Sequence, residues 1–382
     1  MKLSKKKLII TLAIASSALF YLVTPSYLKN AVIYLFPGID DYTIFSNRKI
    51  EIGDKVRPWK TAGNYNKLKL KKKERETLEN YKSIAYLIIK NDSILYEEYW
   101  DNYSNSSLSN SFSAAKSVVG LLIGAAIDDG YIESIDQKVG EFIPEFNNPP
   151  NDKLKIKHLL TMSSGSNWDE SYTSPTSLTT QAYYGNNITG LVSDLKITDV
   201  PGKYFSYKSG DTQLLSLVLK NATEKSLSDY ASEKLWKPLG CEREALWSLD
   251  KNNGTEKAYC CLNSNARDFA KIGELVLKDG LINNKQIISK DFIQSATSPA
   301  NYLIDSDDNK PVNHYGYQWW IINHEGDKIP YARGILGQYI FVLKKENAIV
   351  VRLGHKRSKN LIDHHPSDCY EYLTTAKRLL NK

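Results

Sequence analysis

The sequence predicts an α+β fold: one antiparallel sheet assembled from both ends of the chain, flanked by helices, with an inserted helical region. Three observations carry this expectation. Strand-like runs occupy residues 84–99, further strand-like runs crowd into residues 317–353, and the stretch between them follows helical periods. Strands at both ends with helices between them close a single sheet from the two termini. The 382 residues are 42% hydrophobic and 24% charged, ordinary values for a globular chain that exclude a disordered, fibrous or multi-span membrane protein.

The elements follow in order. Lys5-Lys6-Lys7 precede an apolar run from Leu8 to Val23, the pattern read by the export machinery. No A-x-A site follows the run, so residues 1–30 are read as a signal anchor in preference to a cleaved signal peptide. Everything beyond is expected outside the membrane, either anchored there or periplasmic or secreted. The net charge is +7, and Lys2, Lys5, Lys6, Lys7 and Lys29 face no acid in the first thirty residues. The excess positive charge therefore belongs mainly to that end, and no nucleic-acid partner is expected. Residues 31–80 read as a connecting arm packed on the main domain, with the basic run from Lys67 to Arg75 a solvated face. Residues 81–382 form the main domain.

Ile84–Ile89 and Ile94–Tyr99, joined through Asn91-Asp92, predict a β-hairpin. Ala115, Val118, Val119, Leu122, Ala125 and Ala126 recur at helical spacing and stop before Gly130. Arg267 to Leu277 is a further amphipathic helix. Residues 317–322, 337–342 and 348–353 are strand-like, and Ser367 to Leu380 is a closing helix. The four cysteines form no disulfide scaffold and show no C-x-x-C spacing. Cys260 and Cys261, being adjacent, are not expected to bridge each other.

Chemistry concentrates at three places. Ser113-Ala-Ala-Lys116 puts a hydroxyl and an amine on one helix face. A serine becomes a nucleophile when a base takes its proton, and a lysine serves as that base when burial lowers its pKa toward neutrality. The same spacing recurs elsewhere, at Ser4, Ser193 and Ser248 among others, and Ser113 is set apart by the long apolar helix it opens. Tyr207-Lys208-Ser209 precedes the helix beginning near Asp211; a loop tyrosine there can shuttle a proton. Gly334-Ile-Leu-Gly337-Gln338 leads into a strand-like run, where glycines permit close backbone approach and a strand N–H can face an oxyanion. Read singly, each place has an ordinary structural explanation: a capping serine, a packed tyrosine, a turn glycine.

Together and in this order, the three resemble the penicillin-recognising serine hydrolases, the class C β-lactamase-like group. Residues 111–117, His158–Gly165, Pro201–Asp211, Ala266–Gly273 and Tyr315–Trp320 extend the likeness over roughly residues 80–375. The setting Y-K-S-G-D with G-x-x-G-Q is most similar to the 6-aminohexanoate-dimer hydrolase-like branch. The resemblance implies a β-lactamase/transpeptidase-like fold with an inserted helical subdomain and no cofactor. It also implies an acyl-enzyme hydrolase for a small-molecule or peptide amide or ester. In it Ser113 attacks, Lys116 deprotonates, Tyr207 passes the proton, and the backbone N–H groups of Ser113 and Gln338 hold the oxyanion. β-Lactamase or DD-peptidase activity is the runner-up, and a non-catalytic module binding envelope peptides the alternative from another class.

Two departures bear on substrate. Ser209 stands where many relatives have Asn, and Ile335-Leu-Gly337 replaces K-T-G, removing a cation; an uncharged or differently charged amide or ester is therefore expected, with Arg333 as a candidate replacement whose direction the sequence leaves open. Ser209, Gly334, Gly337, Tyr184 and Trp168 are candidates to line the cleft. His364-His365 with Asp363 and Asp368 lacks a supporting second cluster, so no metal site is expected.

Overall fold

The computed structural model describes residue 7 and residues 24–381. The apolar run read as a signal anchor lies outside the described residues. Among the described residues no helix is long and apolar enough to cross a membrane.

A seven-stranded sheet forms the centre. Its strands are β1 (Lys60–Thr61), β2 (Ser83–Lys90), β3 (Ser93–Tyr99), β4 (Trp320–His324), β5 (Asp327–Gly334), β6 (Gln338–Leu343) and β7 (Ala348–Gly354). The order is β4-β5-β6-β7-β2-β3-β1, antiparallel except for the short β1–β3 pairing. β7 pairs with β2 from Ala348↔Lys90 onward, so the two ends of the chain meet at the sheet's middle, as the sequence led us to expect. β5 was not anticipated: Lys328, Pro330 and Arg333 interrupt its apolar pattern.

The central strands are buried on both faces, and their period of two sorts side chains into two layers. Ala85, Leu87, Ile89, Ile349 and Val351 join the core beneath helices α1 (Ala115–Asp128) and α3 (Ala266–Leu277). Tyr86, Ile88, Val350 and Phe341 join the opposite core beneath α4 (Ser367–Leu380). Truncating one such residue, Ile349→Ala for example, costs about 2–5 kcal/mol because the layers cannot collapse around the void.

The inserted region carries α2 (Ser209–Thr223), which packs on α1. The 31–80 arm is stitched into the body: Asn47–Ile50 pairs antiparallel with Ala245–Ser248, β1 extends the sheet, and the helix Lys72–Asn80 lies against α4. Cys260 and Cys261 are joined by a disulfide, contrary to the sequence expectation. Cys261 adopts a left-handed backbone (φ 67°), which brings two neighbouring side chains together where an extended backbone would hold them apart. Cys241 and Cys369 are free and buried.

Candidate active site

Ser113 sits in a single 3-10 turn, Phe112–Ala114, leading directly into α1. Phe112 holds a left-handed backbone (φ 44°), uncommon for a bulky residue. The turn is fixed from three sides. The Phe112 N–H donates to Asn110 Oδ1 at 2.8 Å, and the Ser111 N–H donates to the Leu262 carbonyl at 2.8 Å. Gly334, ending β5, leaves room for the turn: a Cβ there would lie 2.1 Å from the Ser111 carbonyl oxygen. The nucleophile candidate is thus held between the sheet and the first turn of α1.

Lys116 lies one turn on and is 1% exposed. Its Nζ is 3.1 Å from Ser113 Oγ, 3.0 Å from Ser209 Oγ and 2.9 Å from the Tyr259 carbonyl. Three partners match three valences. Nζ donates to all three oxygens, and loss of one proton would leave a lone pair among the same partners, next to the Ser113 hydroxyl. The Ser209 hydroxyl in turn donates to Glu170 Oε1 at 2.6 Å, while the Ser209 N–H donates to Glu170 Oε2 at 2.6 Å. Trp168 Nε1 donates to the same carboxylate at 2.7 Å, and the Tyr172 hydroxyl bonds to it as well. Lys116 is therefore one hydroxyl away from a carboxylate that itself has four donors. The shorter Ser209 does reach the lysine.

Tyr207 converges on the same point. Lys116 Nζ stands 5.1 Å from its ring centre. The ring packs on Trp320 at 5.4 Å. Ser113, Tyr172, Tyr207, Gly334 and Ile335 line a cavity of about 120 Å³ together with Arg333 and Arg357. The Arg333 guanidinium carbon lies 3.2 Å from the centre of the Trp320 ring, and Nη1 donates to the His364 carbonyl at 2.8 Å. A second cavity, of about 280 Å³, shares Ser113, Tyr172 and Ile335 with the first and is otherwise walled largely by apolar and aromatic side chains, among them Leu35, Phe36, Phe112, Tyr183 and Tyr184, with Ser209 and Cys260 also in its lining. Ser113 thus lines both a pocket with two arginines and a largely apolar one.

Of the sequence candidates, Ser113, Lys116, Tyr207, Ser209, Gly334 and Tyr184 come together here. Gln338 pairs with Gly334 across the β5–β6 register, its side chain donates to the Gly354 carbonyl at 2.6 Å, and it lines neither of the cavities that Ser113 lines. Two candidates lie elsewhere. Trp168 is buried behind the cleft, where it supports Glu170 and packs over Gly210. Gly337 faces the buried Arg352: its φ is +90°, and a Cβ would lie 2.0 Å from Arg352 Nη1, so its glycine serves the turn. The sequence reading missed Tyr172, the Tyr259 carbonyl and Arg357, none of which belongs to a local motif. Arg333, the candidate replacement for the missing cation, lines the cavity beside Ser113, and Arg357 joins it there.

The family model described as Beta-lactamase matches residues 70–365. The chain is 24% identical over 292 residues to the 6-aminohexanoate-dimer hydrolase of Paenarthrobacter ureafaciens, covering 73% of this chain and 74% of that one. The solved structure "Putative 6-aminohexanoate-dimer hydrolase from Bacillus anthracis" superposes with a TM-score of 0.75 at 22% identity, over 93% of this chain and 94% of that one. A family VIII carboxylesterase structure gives a TM-score of 0.64 at 14% identity over 87% and 100%. These structures have the β-lactamase/transpeptidase-like fold expected from the motifs.

Proposed function

The chain belongs to the β-lactamase family, and from that premise we propose that it is a serine hydrolase cleaving an amide or ester that pairs an apolar part with an anionic group, through an acyl-enzyme on Ser113. Lys116, as the free amine, takes the Ser113 proton while Oγ bonds to the carbonyl carbon. The carbonyl oxygen becomes an oxyanion held by the backbone N–H of Ser113 and, as the motif resemblance implies, that of Gln338. Collapse expels the amine or alkoxide, which leaves with a proton relayed from Lys116 through Tyr207. Water then enters by the reverse relay, gives its proton up to the same groups and releases the acid. Glu170 and Ser209 position Lys116.

The observation that carries the substrate class is that Ser113 lines both the Arg333–Arg357 pocket and the largely apolar one. A guanidinium pair selects a carboxylate on one side of the scissile bond, and the aromatic wall takes an uncharged chain on the other. Similarity to a protein called 6-aminohexanoate-dimer hydrolase is consistent with such a substrate. The test is a set of matched linear amides and p-nitrophenyl esters, each with a free carboxylate and as its methyl ester, run beside nitrocefin on the parent chain and on Ser113→Ala. Turnover favouring the free carboxylate and absent in Ser113→Ala supports the reading. Equal rates for both forms would remove the anionic half, and nitrocefin turnover alone would replace the reading with β-lactamase activity.

The same reading puts the catalytic domain outside the membrane, tethered by residues 8–23, on the strength of the basic flank and apolar run alone. Protease treatment of intact cells tests it: external loss of the domain supports tethering, and protection refutes it.

A further inference from the structure

Next to Trp320, whose ring stacks with His314 at 5.8 Å, lies a cluster that the hydrolytic reading does not use. Asp305 ends a two-residue strand that pairs with Tyr204-Phe205, His314 lies in the following loop, and His364 sits at the tip of the hairpin joining Leu361–Ile362 to His365–Pro366. Asp363 and His364 are both left-handed there (φ 47° and 69°), a turn that sends the two neighbouring histidines different ways: His365 bonds the Tyr331 hydroxyl at 2.8 Å, and His364 faces His314. The His314 and His364 rings stack at 4.0 Å.

The donor atoms converge. His314 Nε2 is 3.3 Å from Asp305 Oδ2, and His364 Nδ1 is 3.9 Å from the same oxygen. One ligand atom from each of the three residues lies within 4.8 Å of the others. Bonds of 2.0–2.2 Å around a tetrahedral ion place ligand atoms about 3.3–3.6 Å apart, so the cluster needs only a small contraction. Asp305 and His314 are 2% and 3% exposed, yet Asp305 Oδ2 and His314 Nε2 have no hydrogen-bond partner among the described residues. A buried carboxylate oxygen and a buried imidazole nitrogen left unpaired, aimed at each other, are costly unless a cation joins them. Asp308 Oδ2 lies 3.6 Å from His364 Nε2, the ring nitrogen on the far side from Asp305, where a carboxylate orients the imidazole from outside the coordination sphere, and a cavity of about 270 Å³ bordering the cluster admits the ion.

We propose that Asp305, His314 and His364 form a transition-metal site, with zinc(II) the ion that best fits two imidazoles and a carboxylate. The ion fastens the 361–366 hairpin to the body. Because the His364 carbonyl holds Arg333, metal occupancy also fixes one wall of the cationic pocket beside Ser113.

The test uses the full-length chain, stripped with a chelator and titrated with zinc chloride against a chromogenic zinc chelator. One zinc per chain is expected, with a rise in melting temperature on binding, and cobalt(II) in its place gives visible d–d absorption. Asp305→Asn and His364→Ala each weaken zinc binding by about 100-fold or more. His364 is part-exposed on a turn, so His364→Ala keeps the melting temperature of the metal-free parent even if Asp305→Asn fails to fold. No binding by the parent chain, or undiminished binding by His364→Ala, overturns the proposal. Both readouts are independent of hydrolysis, so they stand or fall separately from the role of Ser113.

Discussion

The Ser209 hydroxyl accepts a bond from Lys116 at 3.0 Å and donates one to Glu170 at 2.6 Å, so a carboxylate acts on the lysine through a single bridging oxygen. Lys116 cannot drift without breaking this link, and the link fixes which valence it presents to Ser113.

Removing the bridge should therefore lower kcat more than it changes KM. Ser209→Ala leaves one Lys116 N–H without its acceptor, and Glu170→Gln loosens Ser209; each should cut kcat roughly 10- to 100-fold, the range for slight misplacement of a reacting group. Steady-state kinetics on one ester substrate decides the matter. A pure KM effect would mean that Ser209 and Glu170 contact substrate and do not hold the lysine.

Arg333 and Arg357 should discriminate by charge. Each charge-assisted bond to a carboxylate contributes about 1.5–3 kcal/mol, so Arg333→Ala or Arg357→Ala should reduce kcat/KM by roughly 10- to 100-fold for the free carboxylate and leave the methyl ester nearly unaffected. Equal losses on both substrates would show that the two arginines act on the shape of the cleft alone.

Much of this was legible in the sequence, and the rest was hidden for physical reasons. The β2–β3 hairpin and α1 follow simple periods, and Ser113 and Lys116 are neighbours through helix geometry alone, so spacing finds them. β5 escaped because Pro330, opposite Ile321 in the register, and the charges around it mask a strand held by its two neighbours. Arg357, the Tyr259 carbonyl and the Asp305–His314–His364 cluster reach their places through the order of strands and loops, which no local pattern encodes. The Cys260–Cys261 bond depended on one left-handed residue, a conformation that residue type alone does not reveal. Gly337 was read as a cleft glycine because it shares a motif with Gly334; only the position of Arg352 separates their roles.

Asp211, at the start of α2, carries a pH signature. It is fully buried; the Ser164 hydroxyl donates to its Oδ1 at 2.6 Å, and Oδ2 has no partner among the described residues. Burial pushes its pKa from 3.8 up to about 7. The folded state then holds a proton that the unfolded chain has lost. The stabilisation from this group is complete below about pH 4 and disappears as pH rises to about 7. Asp211→Asn, neutral at every pH, should gain on the parent by about 1.4 kcal/mol per pH unit through that window and hold the gain above it. Urea unfolding at pH 4.5 and pH 8 measures the difference; a difference that does not change with pH would show that Asp211 is ionised in the folded chain.

The central claim is that the Ser113 hydroxyl forms a covalent acyl bond. It is tested most directly by acid-quenching the full-length chain during turnover of a p-nitrophenyl ester and reading the intact and peptide masses. The mechanism predicts one acyl group per chain on the peptide containing Ser113, and none in Ser113→Ala. An acyl group on another residue, or full turnover by Ser113→Ala, would contradict it.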